Sequence, residues 1–341
     1  MSDVADMNTA SLAAYLQKNL AGFKGPLSAE KFSGGQSNPT FLLTASSGQY
    51  VLRRKPPGQL LASAHAVDRE FSVLRALHGS DVPVAKPLLL CESDDIIGSM
   101  FYVMSYEAGR IFWDPALPEL AAAERAPIFT ELVRVLAALH NVDVNKVGLA
   151  DYGKPGNYFE RQIGRWSKQY RAAETERLAD MEVLLDWLPR NMPSDDGQVS
   201  LIHGDFRLDN FIFAKDHASI KAVLDWELST VGHPLADLAY LCMCLRLPVS
   251  GFPCGLAGLE RSALGLPEEE QIVAQYCMLR NITTIENWEF YLAFSFFRLA
   301  AICQGVMRRA LDGNASNERA LETGRQTAVL AALGAAIIAG E

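Results

Sequence analysis

Between Val199 and Trp226 a short island of strand-forming sequence and a polar loop interrupts a long helix-forming stretch, and this island limits what the rest of the chain can be. It reads Leu201-Ile202-His203-Gly204-Asp205-Phe206-Arg207-Leu208-Asp209-Asn210-Phe211, followed by Val223-Leu224-Asp225-Trp226-Glu227. Val199 to Ile202, Phe211 to Ala214 and Ile220 to Leu224 predict short strands. An apolar strand thus delivers Asp205 onto a loop, an amide follows at Asn210, and a hairpin brings a second carboxylate, Asp225, to a strand end. Phosphoryl transfer asks for such a set. One carboxylate orients the attacking hydroxyl, while an amide and a carboxylate supply hard oxygen ligands for Mg2+ without crowding negative charge beside ATP.

The flanking sequence predicts two lobes, since 341 residues exceed what one hydrophobic core usually supports. Three β-type runs open the chain, Glu30 to Ser33, Pro39 to Thr44 and Gln49 to Arg54, with Ser46-Ser47-Gly48 as a turn. His65 to Leu77 carries Val67, Phe71, Leu74 and Leu77 at helical spacing, and two more strands follow at Pro87 to Cys91 and Met100 to Tyr106. Beyond Gly109, helices are predicted over Glu119 to Leu139, Tyr158 to Leu188, Leu235 to Leu245, Glu268 to Leu279 and Trp288 to Leu311. The expectation is an α+β chain divided into residues 1–106, a small antiparallel sheet with one helix, and residues 107–341, a larger and mostly helical part.

Charge and cysteine content narrow the function. Residues 1–106 carry 9 basic and 9 acidic side chains; the remainder carries 22 and 31, and so holds the whole net charge of -9. That balance argues against nucleic-acid binding, which needs a basic field to displace phosphate counterions. The acidic start Met1-Ser-Asp-Val-Ala-Asp6 lacks the basic region of a secretory signal, and Ala328 to Ala339, broken by Gly334, is shorter than the roughly 20 residues of a bilayer span. A cytoplasmic protein without a membrane partner is expected. Cys91, Cys242, Cys244, Cys254, Cys277 and Cys303 form no CxxC pair, so free thiols are expected rather than disulfides or zinc ligands.

The loop HGDFRLDN and the later LDWE resemble the HGDxxxxN and (I/L)D(W/F)E patterns of the aminoglycoside phosphotransferase and choline kinase-like branch of the protein-kinase-like fold. The resemblance covers about residues 28 to 311 and implies a bilobal fold: residues 1–106 as nucleotide-binding lobe, 107–341 as catalytic and substrate-binding lobe. It implies that Asp205 is the catalytic base, that Asn210 and Asp225 hold magnesium, and that His203 orders the loop. Arg207, two residues after the base, stands where related kinases carry a cation that steadies the γ-phosphate. Asp237, in Gly232-His233-Pro234-Leu235-Ala236-Asp237, resembles the family's loop-buttressing carboxylate. Asp209 reads as a solvated turn residue, and Glu227 as a second-metal or structural group.

At the nucleotide end, Phe32 to Asn38 places Gly34, Gly35 and Ser37 where small residues let backbone N–H groups approach phosphates. The third strand offers Arg53, Arg54 and Lys55. Alternation puts Arg53 on the face of Val51, toward the nucleotide, and Arg54 outward. By resemblance, Glu70 is the ion-pair partner of the strand cation, and Met104 to Glu107, including Tyr106, is the hinge that meets adenine.

For the acceptor, Arg161, Arg165, Lys168 and Arg171 form a basic stripe at helical spacing, with Ile163, Trp166 and Tyr170 opposite. One reading is a solvated face; the other is an anion site, with Arg161, Arg165 and Trp166 touching the acceptor. VLRRKPPG at Val51 to Gly58 and NYFERQIGRW at Asn157 to Trp166 further resemble the kinase-like domains fused to some acyl-CoA dehydrogenases. That resemblance implies ATP-dependent phosphorylation of a hydroxy acid or hydroxyacyl-CoA. An aminoglycoside or other amino-alcohol kinase and a nucleotide-binding pseudokinase remain the alternatives, and oligomeric state is left open.

Overall fold

A computed structural model describes residues 7–32, 38–56, 66–251, 253–313 and 319–340. Gly34, Gly35 and Ser37 lie outside the described residues. The chain divides into two compact units, Met1–Arg110 with Phe211–Leu228, and Ile111–Asn210 with Ser229–Glu341. A linear cut at 106/107 could not anticipate this return of the chain. Backbone pairing accounts for it: Arg110 and Phe213 exchange N–H···O bonds of 2.9 and 2.8 Å, and the Val223 N–H donates to Pro83 at 2.9 Å. Gly109 is needed there, because a Cβ on it would overlap the Phe213 carbonyl and the Ile212 side chain.

In the first unit, β1 (Leu27–Lys31), β2 (Thr40–Ala45), β3 (Gly48–Arg54), β4 (Pro87–Cys91) and β5 (Phe101–Ser105) form one antiparallel sheet in the order β1-β2-β3-β5-β4. Helix α1 (Thr9–Asn19) went unread in the sequence; it buries only Leu12 and Leu16, too sparse a pattern to announce a helix. Helix α2 (Val67–Leu77) buries Val73, Leu74 and Leu77, together with the carboxylate of Glu70. The returning hairpin is β7 (Phe211–Phe213) and β8 (Ile220–Val223).

The second unit holds α3 (Ala122–His140), α4 (Tyr158–Ala173), α5 (Ala179–Arg190), α6 (Leu235–Leu245), α7 (Glu269–Arg280), α8 (Trp288–Leu311) and α9 (Ala320–Ala339), with a two-stranded ribbon of β6 (Ser200–Ile202) and β9 (Thr230–Gly232). The single helix expected over Tyr158 to Leu188 is two. The chain turns extended at Glu174, Arg171 pairs with Glu174 and with Glu182 of α5, and Gln304 and Arg308 of α8 take the carbonyls of Ala173 and Glu174 that the helix end leaves open. Helix α8 is apolar and long enough to cross a membrane by composition, yet 78% of that window is buried inside the protein against α9, α4, α6 and α5. All six cysteines are free thiols, and all but Cys254 are buried.

One residue of α6 controls the polar loop. Asp237 is fully buried; its Oδ2 accepts the His203 N–H at 2.6 Å and its Oδ1 accepts the Gly204 N–H at 2.8 Å. His140 adds a 3.4 Å contact from α3, and Tyr276 bonds the other His140 nitrogen at 2.7 Å. Burial alone would raise the Asp237 pKa, but His140 and the loop N–H outweigh it, so the carboxylate is held below its ordinary range. A depressed carboxylate stabilises the fold above its unfolded pKa, and that contribution is lost as pH falls through the folded value. Asp237→Asn turns one acceptor into a donor aimed at an N–H. We expect it to cost about 2–4 kcal/mol, the penalty for breaking buried charge-assisted hydrogen bonds, and to remove part of the wild type's acid sensitivity below the ordinary carboxylate range; urea midpoints at about pH 7 and about pH 3 check both.

Candidate active site

The loop that follows β6 is built on backbone geometry. Gly204 has φ 83°, a left-handed turn that places Asp205 beyond the strand end. His203 is wholly buried, and its Nδ1 accepts the Asp205 N–H at 3.2 Å, which fixes the ring tautomer and the loop together. A single 3-10 turn, Leu208–Asn210, then brings Asn210 back, and its amide nitrogen donates to the Asp205 carbonyl at 2.8 Å and to Asp205 Oδ2 at 3.1 Å. With the nitrogen committed to the loop, the Asn210 carbonyl oxygen is the atom left for a cation.

Arg207 sits between two carboxylates, Nε 3.3 Å from Asp205 Oδ1 and Nη2 3.1 Å from Asp209 Oδ2. Asp209, read in the sequence as a solvated turn residue, is 11% exposed and paired; the 3-10 turn folds it back onto Arg207. Burial works against the Asp205 carboxylate, but Arg207, His203, the Tyr240 hydroxyl and the Asn210 amide more than offset it, so Asp205 is ionised well below neutral pH. Arg207 is likewise held cationic, as its two carboxylates outweigh the cost of burial.

The first unit contains the second cluster. Arg53, on β3, lies with Nε 2.9 Å from Glu70 Oε2, Nη2 2.6 Å from Asp225 Oδ1 and 3.8 Å from Glu227 Oε2. Glu70 also accepts from Asn38 at 2.7 Å and from the Tyr102 hydroxyl at 3.0 Å. Burial alone would drive Arg53 toward neutrality, and the carboxylates of Glu70 and Asp225 reverse that. Asp225 adopts φ 60°, a strained conformation for a non-glycine residue, and its side chain is 32% exposed, with Oδ1 on Arg53. Arg54 points to the other face as alternation requires, but it is not solvated: it is 4% exposed and donates to Ser99 at 2.9 Å. Met104 is buried in β5, while Tyr106 is 36% exposed just past the strand, at the start of an unpaired segment.

Each unit carries an oxygen donor of the kind magnesium takes, Asn210 in the second and Asp225 in the first. Asn210 and Asp225 each keep one side-chain oxygen uncommitted to the bonds above, and among the described residues no cluster of three or more His, Cys, Asp or Glu forms a complete cage. Mg2+ typically takes one or two protein oxygens and completes its shell with water and phosphate, so a single uncommitted oxygen of this kind is an appropriate donor.

The basic stripe on α4 is divided. Arg161 donates to the carbonyls of Lys154 and Gly156, which pins the loop before the helix, and Arg171 is spent on Glu174 and Glu182. Arg165 lies over the Trp166 ring, 5.2 Å from its centre. Two residues near the loop escaped the sequence reading, Tyr240 and Arg298. Arg298 had a signal: it is the lone charge within Phe290 to Cys303, an apolar run that would not bury a cation without use for it. His233 is structural, its Nε2 3.2 Å from Asp196 and its ring stacked on Tyr291.

Comparison with known proteins places this geometry. Residues 28–258 match the phosphotransferase enzyme family. Mouse acyl-CoA dehydrogenase family member 10 is 46% identical over 325 residues, which cover 93% of this chain and 30% of that protein. The chain spans less than half the length of such curated relatives. A crystal structure from Ralstonia eutropha, named for the aminoglycoside phosphotransferases, superposes with TM-score 0.90 at 46% identity, over 98% of this chain and 99% of that one. A ternary complex of aminoglycoside phosphotransferase APH(4)-Ia with AMP-PNP and hygromycin B shares the fold at TM-score 0.62 and 16% identity, over 97% and 99% of the two chains. By sequence across residues 28–258 and by fold over nearly its whole length, the chain belongs to the phosphotransferase enzyme family.

Proposed function

We propose that this phosphotransferase moves the γ-phosphate of ATP to the hydroxyl of a hydroxy acid or of its coenzyme A ester, with Asp205 as the base. The observation that carries the reaction is the state of Asp205: an ionised carboxylate on a loop whose backbone is clamped by Asp237 and whose far end is tied back by Asn210. The acceptor hydroxyl donates its hydrogen bond to Asp205, its oxygen forms the new bond to the γ-phosphorus, and the bond from that phosphorus to the bridging oxygen breaks to release ADP. The hydroxyl proton passes to Asp205. Asn210 and Asp225 would hold Mg2+, which when bound supplies positive charge against the phosphate oxygens. Arg207 would steady the transferred phosphoryl group, and Arg53, oriented by Glu70, would reach the nucleotide as a fork of donors. Met104 to Glu107 would meet the adenine, and Gly34, Gly35 and Ser37 the phosphates. Catalysis of this kind is positional and electrostatic.

Support for ATP comes from the AMP-PNP complex of a protein of this fold. The acceptor class rests on the relatives named as acyl-CoA dehydrogenase family members. The name of the Ralstonia protein favours a second reading, an aminoglycoside acceptor, and an ADP-release assay across hydroxy acids, their coenzyme A esters and aminoglycosides decides between them. Turnover of aminoglycosides alone would reject the first reading; no ADP release with any acceptor, alongside a thermal shift with Mg-ATP, would indicate a pseudokinase. Asp205→Ala should lower kcat by about 10²–10⁴-fold, the usual worth of a positioned base, with Mg-ATP binding retained in a thermal-shift titration. Arg53→Ala should raise the KM for ATP by about tenfold or more, as expected for loss of charge-assisted bonds, whereas Arg54→Ala should lower the melting temperature and leave that KM nearly unchanged.

A further inference from the structure

Two arginines of the second unit meet at one aromatic ring and a third adds to the field nearby, with no carboxylate among them. Arg298 is 6% exposed; its Nη2 donates to the Gly204 carbonyl at 2.6 Å. Its guanidinium carbon lies 5.5 Å from the ring centre of Tyr240 and 6.0 Å from that of Trp166. Arg165 stands over the same Trp166 ring at 5.2 Å. The Tyr158 phenol reports the shared field: burial pushes its pKa up to about 12, with Asp237 adding to the rise and Arg298, Arg165 and Arg161 all pulling against it.

Among the described residues, none of these three arginines lies within ion-pair distance of a carboxylate. The neighbouring arginines differ. Arg171 is paired with Glu174 and Glu182, and Arg207 with Asp205 and Asp209. A nearly buried guanidinium left without a carboxylate is costly, and two aromatic faces and one carbonyl offset only part of that cost. The bond to Gly204 ties this cation to the residue beside Asp205, so an anion bound there would sit next to the catalytic loop.

The geometry points to an oxyanion subsite formed by Arg298 and Arg165 with the face of Trp166, which receives the carboxylate or phosphate of the acceptor while its hydroxyl meets Asp205. This deepens the proposed function and rests on it. Arg161, committed to loop carbonyls, contributes field rather than contact. The net charge of the lobe is thereby reversed locally, and an acidic unit can hold an anionic substrate.

Steady-state kinetics with β-hydroxybutyrate, its coenzyme A ester and its neutral amide test the subsite in wild type, Arg298→Lys and Arg165→Gln. Arg165 is exposed, so its variant keeps the test valid if Arg298→Lys folds poorly. Both substitutions should raise the KM of an anionic acceptor by about tenfold or more, the worth of a charge-assisted bond, while the KM for ATP and the kcat/KM of the amide stay near wild type. A loss confined to the free acid assigns the subsite to a carboxylate, and one confined to the ester assigns it to a phosphate. Unchanged KM for both anionic acceptors, or an equal loss with the amide, overturns the subsite and leaves the proposed function standing. Wild-type enzyme that turns over neither anionic acceptor overturns both.

Discussion

The carboxylate of Asp237 holds the candidate site in shape. A loop that must present Asp205 at a strand end has N–H groups with no strand partner, and leaving them bare in a protein interior is expensive. Asp237 takes two of them, from His203 and Gly204, and is itself kept ionised by His140. With those N–H groups fixed, the left-handed turn at Gly204, the Asp205 N–H on His203 and the return of Asn210 follow in order. The clamp lies in α6, whose every residue is buried, so the loop inherits the rigidity of the core.

Each of the two polar clusters solves the same electrostatic problem. Arg53 is surrounded by Glu70, Asp225 and Glu227, and Arg207 by Asp205 and Asp209. In both, a cation offsets the desolvation of carboxylates that would otherwise repel one another, and in both it remains charged despite burial. A phosphotransferase uses such preformed charge because the transition state differs from the ground state mainly in how negative charge is spread over the phosphoryl oxygens. Arg298 stands apart from this arrangement, since its partners are two rings and a carbonyl.

Much of the architecture was legible because local pattern and tertiary need coincide. The strands around the Ser46-Ser47-Gly48 turn, α2, α6 and α8 lie close to where apolar periodicity put them. The loop was legible for a different reason: its residues bond to one another within a few positions, so spacing alone marks it as a candidate site. The helix pair α4 and α5 was not, because the break at Glu174 depends on Arg171, Gln304 and Arg308 reaching groups distant in sequence. Helix α1 was missed because only one narrow stripe of it touches the core.

The chain's order of residues suffices to single out Asp205, Asn210 and Asp225 as candidates, since their spacing on a strand–loop–hairpin island is a local property. Which cations serve them is not local. Alternation could choose Arg53 over Arg54, but that Arg54 is buried against Ser99 rather than solvated, that Arg161 and Arg171 are consumed by carbonyls and carboxylates, and that Arg298 faces Gly204 from α8 are outcomes of packing. A guanidinium on a long side chain takes whichever partner the folded chain brings within about 3 Å, the reach of a hydrogen bond, and no spacing rule names that partner in advance.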